Sequence, residues 1–124
     1  MGYHQCRWGY ESAEKLVEVV SKLDELMIPI DTIWSDLEYM DKKMIFTVNP
    51  KTHGGKLNTM MKEHEIHFIP LLDVGVSIYD ERAMSLGKNM DVFLRDPYNP
   101  DEYYEGVVWP GQVHFVDFLH SNGS

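Results

Sequence analysis

With 124 residues, 44% hydrophobic and 12% aromatic, the chain has the length of one small domain and the composition of a packed one, which excludes a disordered segment. Its formal charge of −9 argues against nucleic acid or an anionic membrane as partner, since both are bound through clustered lysines and arginines. No run of about 18 apolar residues is present, so no membrane span is expected. The start lacks an apolar signal-peptide core, and the single Cys6 excludes a disulfide scaffold.

In chain order, Tyr3 to Arg7 reads as a short strand and Trp8-Gly9-Tyr10 as a turn. Ser12 stands as the N-cap of a helix with Glu14 in its first turn. That helix is expected from Ala13 to about Met27, with Leu16, Val19, Val20, Leu23, Leu26 and Met27 on one stripe and Pro29 as its stop. A buried strand follows from Ile30 to Ser35. This stretch and its exit carry Asp31, Asp36, Glu38 and Asp41, four acids within eleven residues. If extended geometry persists past Ser35, Asp36 and Glu38 are two residues apart and share a face.

Met44 to Val48 is short and β-like, and Asn49-Pro50 and Gly54-Gly55 break the chain. A weaker helix is expected from Lys56 to Glu65, with Leu57, Met60, Met61 and His64 on its stripe. Ile66 to Leu72 is a nearly continuous apolar strand, as befits one covered on both faces, and it ends in Asp73. Strands separated by helices imply parallel crossovers. Arg7 with Trp8, Asp36 with Glu38, and Asp73 should then meet at the carboxyl rim of one sheet, where α/β folds bind ligands.

Beyond Asp73 the alternation ends. Asp91 to Arg95 and Glu102 to Val108 are β-like runs joined by a loop over residues 96–101, a hairpin excursion. Trp109-Pro110-Gly111 turns the chain back, and Val113 to Phe118 is again β-like. Tyr103 and Tyr104 fit either a carbohydrate platform or strand aromatics. His64 and His67 lie on different elements, and His4, His114 and His120 have no ligand spacing, so no metal site is expected. The methionines, Met60, Met61 and Met84 among them, are expected in the core. Asn122-Gly123-Ser124 has the form of a glycosylation acceptor.

The blocks Gly2 to Tyr10, Ile28 to Asp41, Phe46-Thr47, and Val108-Trp109-Pro110-Gly111 with Phe115, Asp117 and Phe118 closely resemble the barrel of glycoside hydrolase family 31, the family of α-glucosidases. The resemblance runs from Gly2 to about Leu119 in the family's order and spacing. It implies an α/β fold, a partial (β/α)8 TIM barrel made of about the first three β/α units plus a β-hairpin excursion. Residues 1–124 would be the N-terminal part of the catalytic barrel, an incomplete domain.

Residue by residue, the resemblance implies that Asp36 hydrogen-bonds the hydroxyls of the sugar before the scissile bond and that Leu37 lines that pocket. It implies that Trp8 and Trp109 wall the pocket, since the apolar face of a pyranose stacks on indole. Asp73, with Leu71 two residues before it, matches the aspartate closing the third strand, and Arg7 is expected as an ion-pair partner of the rim acids. The chain departs from the pattern at Glu38, where the family has aspartate, and at Val74 and Val116, where it has proline.

The fourth-strand nucleophile and the later acid/base of the family have no counterpart in this chain. Retaining glycoside hydrolysis needs two carboxyl groups about 5–5.5 Å apart, and neither Asp36 nor Asp73 matches either. The chain alone is therefore expected to be inactive, with no catalytic residue, cofactor or metal of its own. The expected parent is a retaining exo-acting α-glucosidase that removes terminal glucose from an α-linked gluco-oligosaccharide. An α-xylosidase, a transglucosidase or an endoplasmic-reticulum trimming glucosidase would carry much the same blocks. The alternative is a non-catalytic sugar-binding or structural derivative of the same barrel. The family makes the secretory pathway, the lysosome or the endoplasmic reticulum the expected compartments.

Overall fold

The computed structural model describes residues 2–123, the side chains of Lys56, Asn58, Met60 and Met61 excepted. The expectation that Met60 and Met61 are core residues, and the last residue of the sequon, therefore fall outside the described residues. The chain divides into two compact units, Met1–Leu72 and Asp73–Ser124.

The first unit runs β1 (His4–Gln5), α1 (Ala13–Glu25), β2 (Thr32–Ser35), α2 (Lys56–Glu63) and β3 (His67–Pro70). Its three strands are parallel in the order β1-β2-β3, the arrangement that strand-helix alternation dictates. The register pairs Gln5 with Ile33, and Ile33 in turn with Phe68, so Ile33 sits mid-sheet and has no exposed surface. Tyr10, Ala13, Leu16, Val20 and Leu57 pack with Ile33 into one core, with Val17, Val19, Ile66 and Phe68 at its margin. Full burial of Leu16 or Val20 contributes about 1.5–3 kcal/mol each.

Helix α1 begins as its sequence dictates, with Ser12 Oγ accepting from Lys15 N at 3.2 Å. It ends before Pro29 rather than at it. Met27 takes φ 53°, Met27 N–H donates to Asp24 O and Ile28 N–H to Leu23 O, both at 2.9 Å, the Schellman closure more often made with glycine. Leu26 and Met27, 57% and 90% exposed, thus leave the expected stripe. The β-like run Met44–Val48 is not a strand: Lys42, Lys43 and Phe46 all have positive φ. The loop is held by Thr47, whose Oγ1 accepts from Asp41 N at 2.9 Å and donates to Met44 O at 2.5 Å. Nor is β3 covered on both faces within this unit, since His67, Ile69 and Pro70 are exposed.

The second unit comprises β4 (Gly75–Ser77), α3 (Glu81–Met90), β5 (Glu105–Val108) and β6 (Gly111–Phe115). Its antiparallel sheet has the order β4-β6-β5. The hairpin forms across Trp109-Pro110, closed by Val108 opposite Gly111, and Gly111 at φ +107° supplies a conformation that side chains rarely adopt. The run Asp91–Arg95 contributes isolated bridges from Phe93 to Val116 and from Arg95 to Tyr103, so the expected excursion is present but less regular. Helix α3 is an element the sequence reading did not assign. Asp80 caps it by accepting from Ala83 N at 3.0 Å, and Met84 and Gly87 are its buried residues.

Gly87 gives a direct test of this packing. A Cβ there would overlap the Phe93 ring. Helix propensity alone favours Gly87→Ala by about 1 kcal/mol, but overpacking costs about 1–3 kcal/mol. We expect the variant to unfold at lower urea concentration than the parent chain; a higher midpoint would contradict the Phe93 contact.

Candidate functional site

Ser35, the last residue of β2, has no exposed surface, and its carbonyl accepts from Leu71 N at 2.9 Å. The β2-β3 pairing therefore continues to the carboxyl edge of the sheet. Asp36 then leaves the strand as the cap of a 3-10 turn (Leu37–Tyr39), its Oδ1 accepting from Leu37 N at 2.8 Å. Short acids favour this position because the first N–H groups of a helical turn have no internal partner. The condition for Asp36 and Glu38 to share a face is thereby removed. Glu38 belongs to the turn, and its Oε1 accepts the backbone N–H of Gly9. Asp36 is half-buried, and Oδ1 is the carboxylate oxygen used internally.

The carboxyl side of β1 carries Arg7 and Trp8. Among the described residues Arg7 has no ion pair with Asp36 or Glu38: its Nε donates to Trp8 O at 3.0 Å and its guanidinium lies 5.8 Å from the Tyr10 ring centroid. Asp36 and Glu38 already accept backbone N–H groups, and Arg7 is exposed. Trp8 is 48% exposed with Lys43 Nζ 5.1 Å from its ring centroid, a cation–π contact. Leu37 is 1% exposed and acts from below the surface as a packing anchor for the turn. Leu71 is half-buried, and its carbonyl accepts from Tyr39 Oη at 2.8 Å, joining the exits of β2 and β3.

In the second unit, Asp73 Oδ1 accepts from Val74 N at 2.7 Å, while its Oδ2 is buried without a partner among the described residues. Trp109 is largely exposed at the hairpin tip. Tyr104 lies near Phe115 with ring centroids 6.0 Å apart, and Tyr103 packs edge-on to Phe93, both just before β5.

Two groups close to these residues escaped the sequence reading. Tyr39 is buried, and that burial raises its phenol pKa above the ordinary 10.0. His53 is 2% exposed and lines a cleft of about 390 Å³ with Tyr39, Leu57, Phe68 and Pro70. Burial holds its imidazole pKa below the ordinary 6.5, while Glu38 and Glu14 pull it upward. The only local signal was a histidine beside the Gly54-Gly55 break, which says nothing of burial.

The model of the glycosyl hydrolases family 31 TIM-barrel domain matches residues 1–124. The chain belongs to glycoside hydrolase family 31. It is 38% identical to glucoamylase 1 of Candida albicans over 135 residues, covering 98% of this chain and 14% of that protein. It is 32% identical to a probable alpha/beta-glucosidase (agdC) of Aspergillus clavatus over 123 residues, covering 96% of this chain and again 14% of the relative.

Among solved structures, a glucosidase II alpha subunit bound to alpha3-Glc2 superposes with TM-score 0.86 at 28% identity, covering 98% of this chain and 13% of that one. A family 31 alpha-glucosidase from Bacteroides thetaiotaomicron gives 0.79 at 28% identity, covering 98% and 21%. The chain thus spans about 14% of the length of the curated relatives it matches. The three parallel strands of this family 31 segment are part of a TIM barrel and do not close into one.

The family 31 segment should show a pH dependence traceable to His53. Because folding lowers its pKa below 6.5, the unfolded chain takes up the proton first as pH falls. Stability from the neutral imidazole is therefore full above the ordinary histidine range and is lost as pH drops through it toward the lower folded value. Urea midpoints at about pH 7.5 and about pH 5.5 should differ more for the parent than for His53→Gln; an equal difference would contradict a buried neutral imidazole.

Proposed function

We propose that residues 1–124 are the opening, incomplete part of the catalytic barrel of a retaining exo-acting α-glucosidase, supplying one wall of the pocket for terminal α-linked glucose. The observation that carries this reading is Asp36. It stands at the carboxyl end of the central strand, is held by Leu37 N through Oδ1, and is half-buried. A fixed carboxylate oxygen suits a sugar hydroxyl because charge-assisted hydrogen bonds are roughly twice as strong as neutral ones. Trp8, on the adjacent strand's exit, offers an indole face for the apolar side of the ring.

By resemblance Leu71, Asp73 and Trp109 belong with them as substrate contacts, Leu37 supports Asp36, and Glu38 supports the Trp8 turn. The alpha3-Glc2-bound glucosidase II structure and the glucosidase names among the relatives support an α-glucoside as the substrate class. Neither carboxylate at these positions matches the family's nucleophile or acid/base, so the segment positions substrate and does not itself cleave it.

The test uses a full-length enzyme carrying this segment in its barrel. Asp36→Asn keeps shape and removes the charge, and kcat/KM on maltose should fall by an amount equivalent to about 2–4 kcal/mol of transition-state binding. An unchanged kcat/KM would overturn the role given to Asp36.

A further inference from the structure

Glu38 and His53 each present one buried atom with no partner among the described residues, Glu38 Oε2 and His53 Nε2. Buried polar atoms are rarely left unpaired, because an unmade hydrogen bond inside a protein costs about 1–3 kcal/mol. The two atoms are complementary. Glu38 Oε2 only accepts when ionised, and a neutral imidazole whose Nδ1 accepts a hydrogen bond from a hydroxyl must carry its own hydrogen on Nε2. Thr52 Oγ1 lies 3.0 Å from His53 Nδ1 and can make that donation.

The backbone ties the segments that carry them to one another. Asn49 N donates to Tyr39 O at 2.7 Å and His53 N to Asn49 O at 2.9 Å, so the loop carrying His53 is tied back to the turn carrying Glu38. Thr52 O accepts from Ala13 N at 2.9 Å, which fixes the same loop to the start of α1. The acids that act on the imidazole are Glu38 from the turn and Glu14 from α1, and Tyr39 shares its cleft.

We propose that His53 is a positioning residue: its Nε2–H and Glu38 Oε2 are joined through one shared water into a relay that holds Glu38 Oε1 on Gly9 N–H and so sets the turn carrying Trp8. A carboxylate with one oxygen on Gly9 and nothing on the other is free to rotate about its last side-chain torsion. Anchoring the second oxygen removes that freedom, and a fixed Glu38 fixes the peptide that follows Trp8. Glutamate rather than aspartate suits this task because it has the reach to span from its own turn to the exit of β1. The value of the relay for a sugar rests on the function proposed above, but the relay itself does not.

The test is NMR spectroscopy of the isotope-labelled 124-residue chain, read at the His53 ring nitrogens, the Gly9 amide and the Trp8 indole N–H. At about pH 7.5 the His53 ring should show the Nε2–H tautomer. His53→Ala and Glu38→Gln should shift the Gly9 and Trp8 signals in the same direction, the double variant should add nothing further, and His53→Gln, which keeps an N–H near the Nε2 position, should restore the parent shifts. A hydrogen on Nδ1, or Gly9 and Trp8 signals unmoved by His53→Ala, would overturn the proposal. Should His53→Ala not fold, the parent's tautomer and the His53→Gln spectrum decide on the same terms. No sugar enters the measurement, so its failure is distinguishable from failure of the Asp36 assignment.

Discussion

The parallel pairing of β2 with a neighbour on each side is the constraint on which the first unit depends. A strand hydrogen-bonded along both edges and packed beneath a helix leaves its residues little solvent, and Thr32, Ile33 and Ser35 are all buried. Its exit is therefore fixed in space, and whatever follows Ser35 starts from a rigid point. Asp36 inherits that rigidity. The turn after it is then tied to both flanking strands, to β1 through Glu38 and Gly9 and to the exit of β3 through Tyr39 and Leu71 O. A polar rim is held in place by a buried strand one residue away.

The acids of the central strand divide the work between structure and chemistry. Asp31 accepts from Tyr3 N at 2.9 Å and so helps align β1, Glu38 holds the Gly9 turn, and Asp36 spends one oxygen on its own cap. Charge density at a strand exit is thus a poor guide to how many carboxylates are free to meet a ligand. Burial and capping requirements, set by unpaired N–H groups at chain turns, claim them first.

The strand-helix alternation, the Ser12 cap and the parallel sheet were legible because each is decided by nearby residues: apolar spacing, a hydroxyl before a helical stripe, and breakers between. Helix α3 was not, because Gly87 weakens its local signal and is required by the Phe93 ring, a contact made outside the helix. The run Met44–Val48 misled for the opposite reason. Its β-branched and aromatic residues favour a strand, but the bonds of Thr47 to Asp41 N and Met44 O close a compact loop instead. Of the site, the position of Asp36 was legible and its geometry was not, since capping by an acid competes with strand continuation. His53 was illegible because its burial comes from the packed loop and not from its neighbours in sequence.

If, as proposed, these residues shape a glucoside pocket without containing the two reacting carboxyl groups, the isolated chain has no means of cleaving a glucoside. The most direct measurement is turnover of a fluorogenic α-glucoside by the purified 124-residue chain. The expected rate is no higher than that of buffer alone. Turnover that is abolished by Asp36→Ala or by Asp73→Ala would contradict it, because the catalytic carboxylates would then lie within these residues.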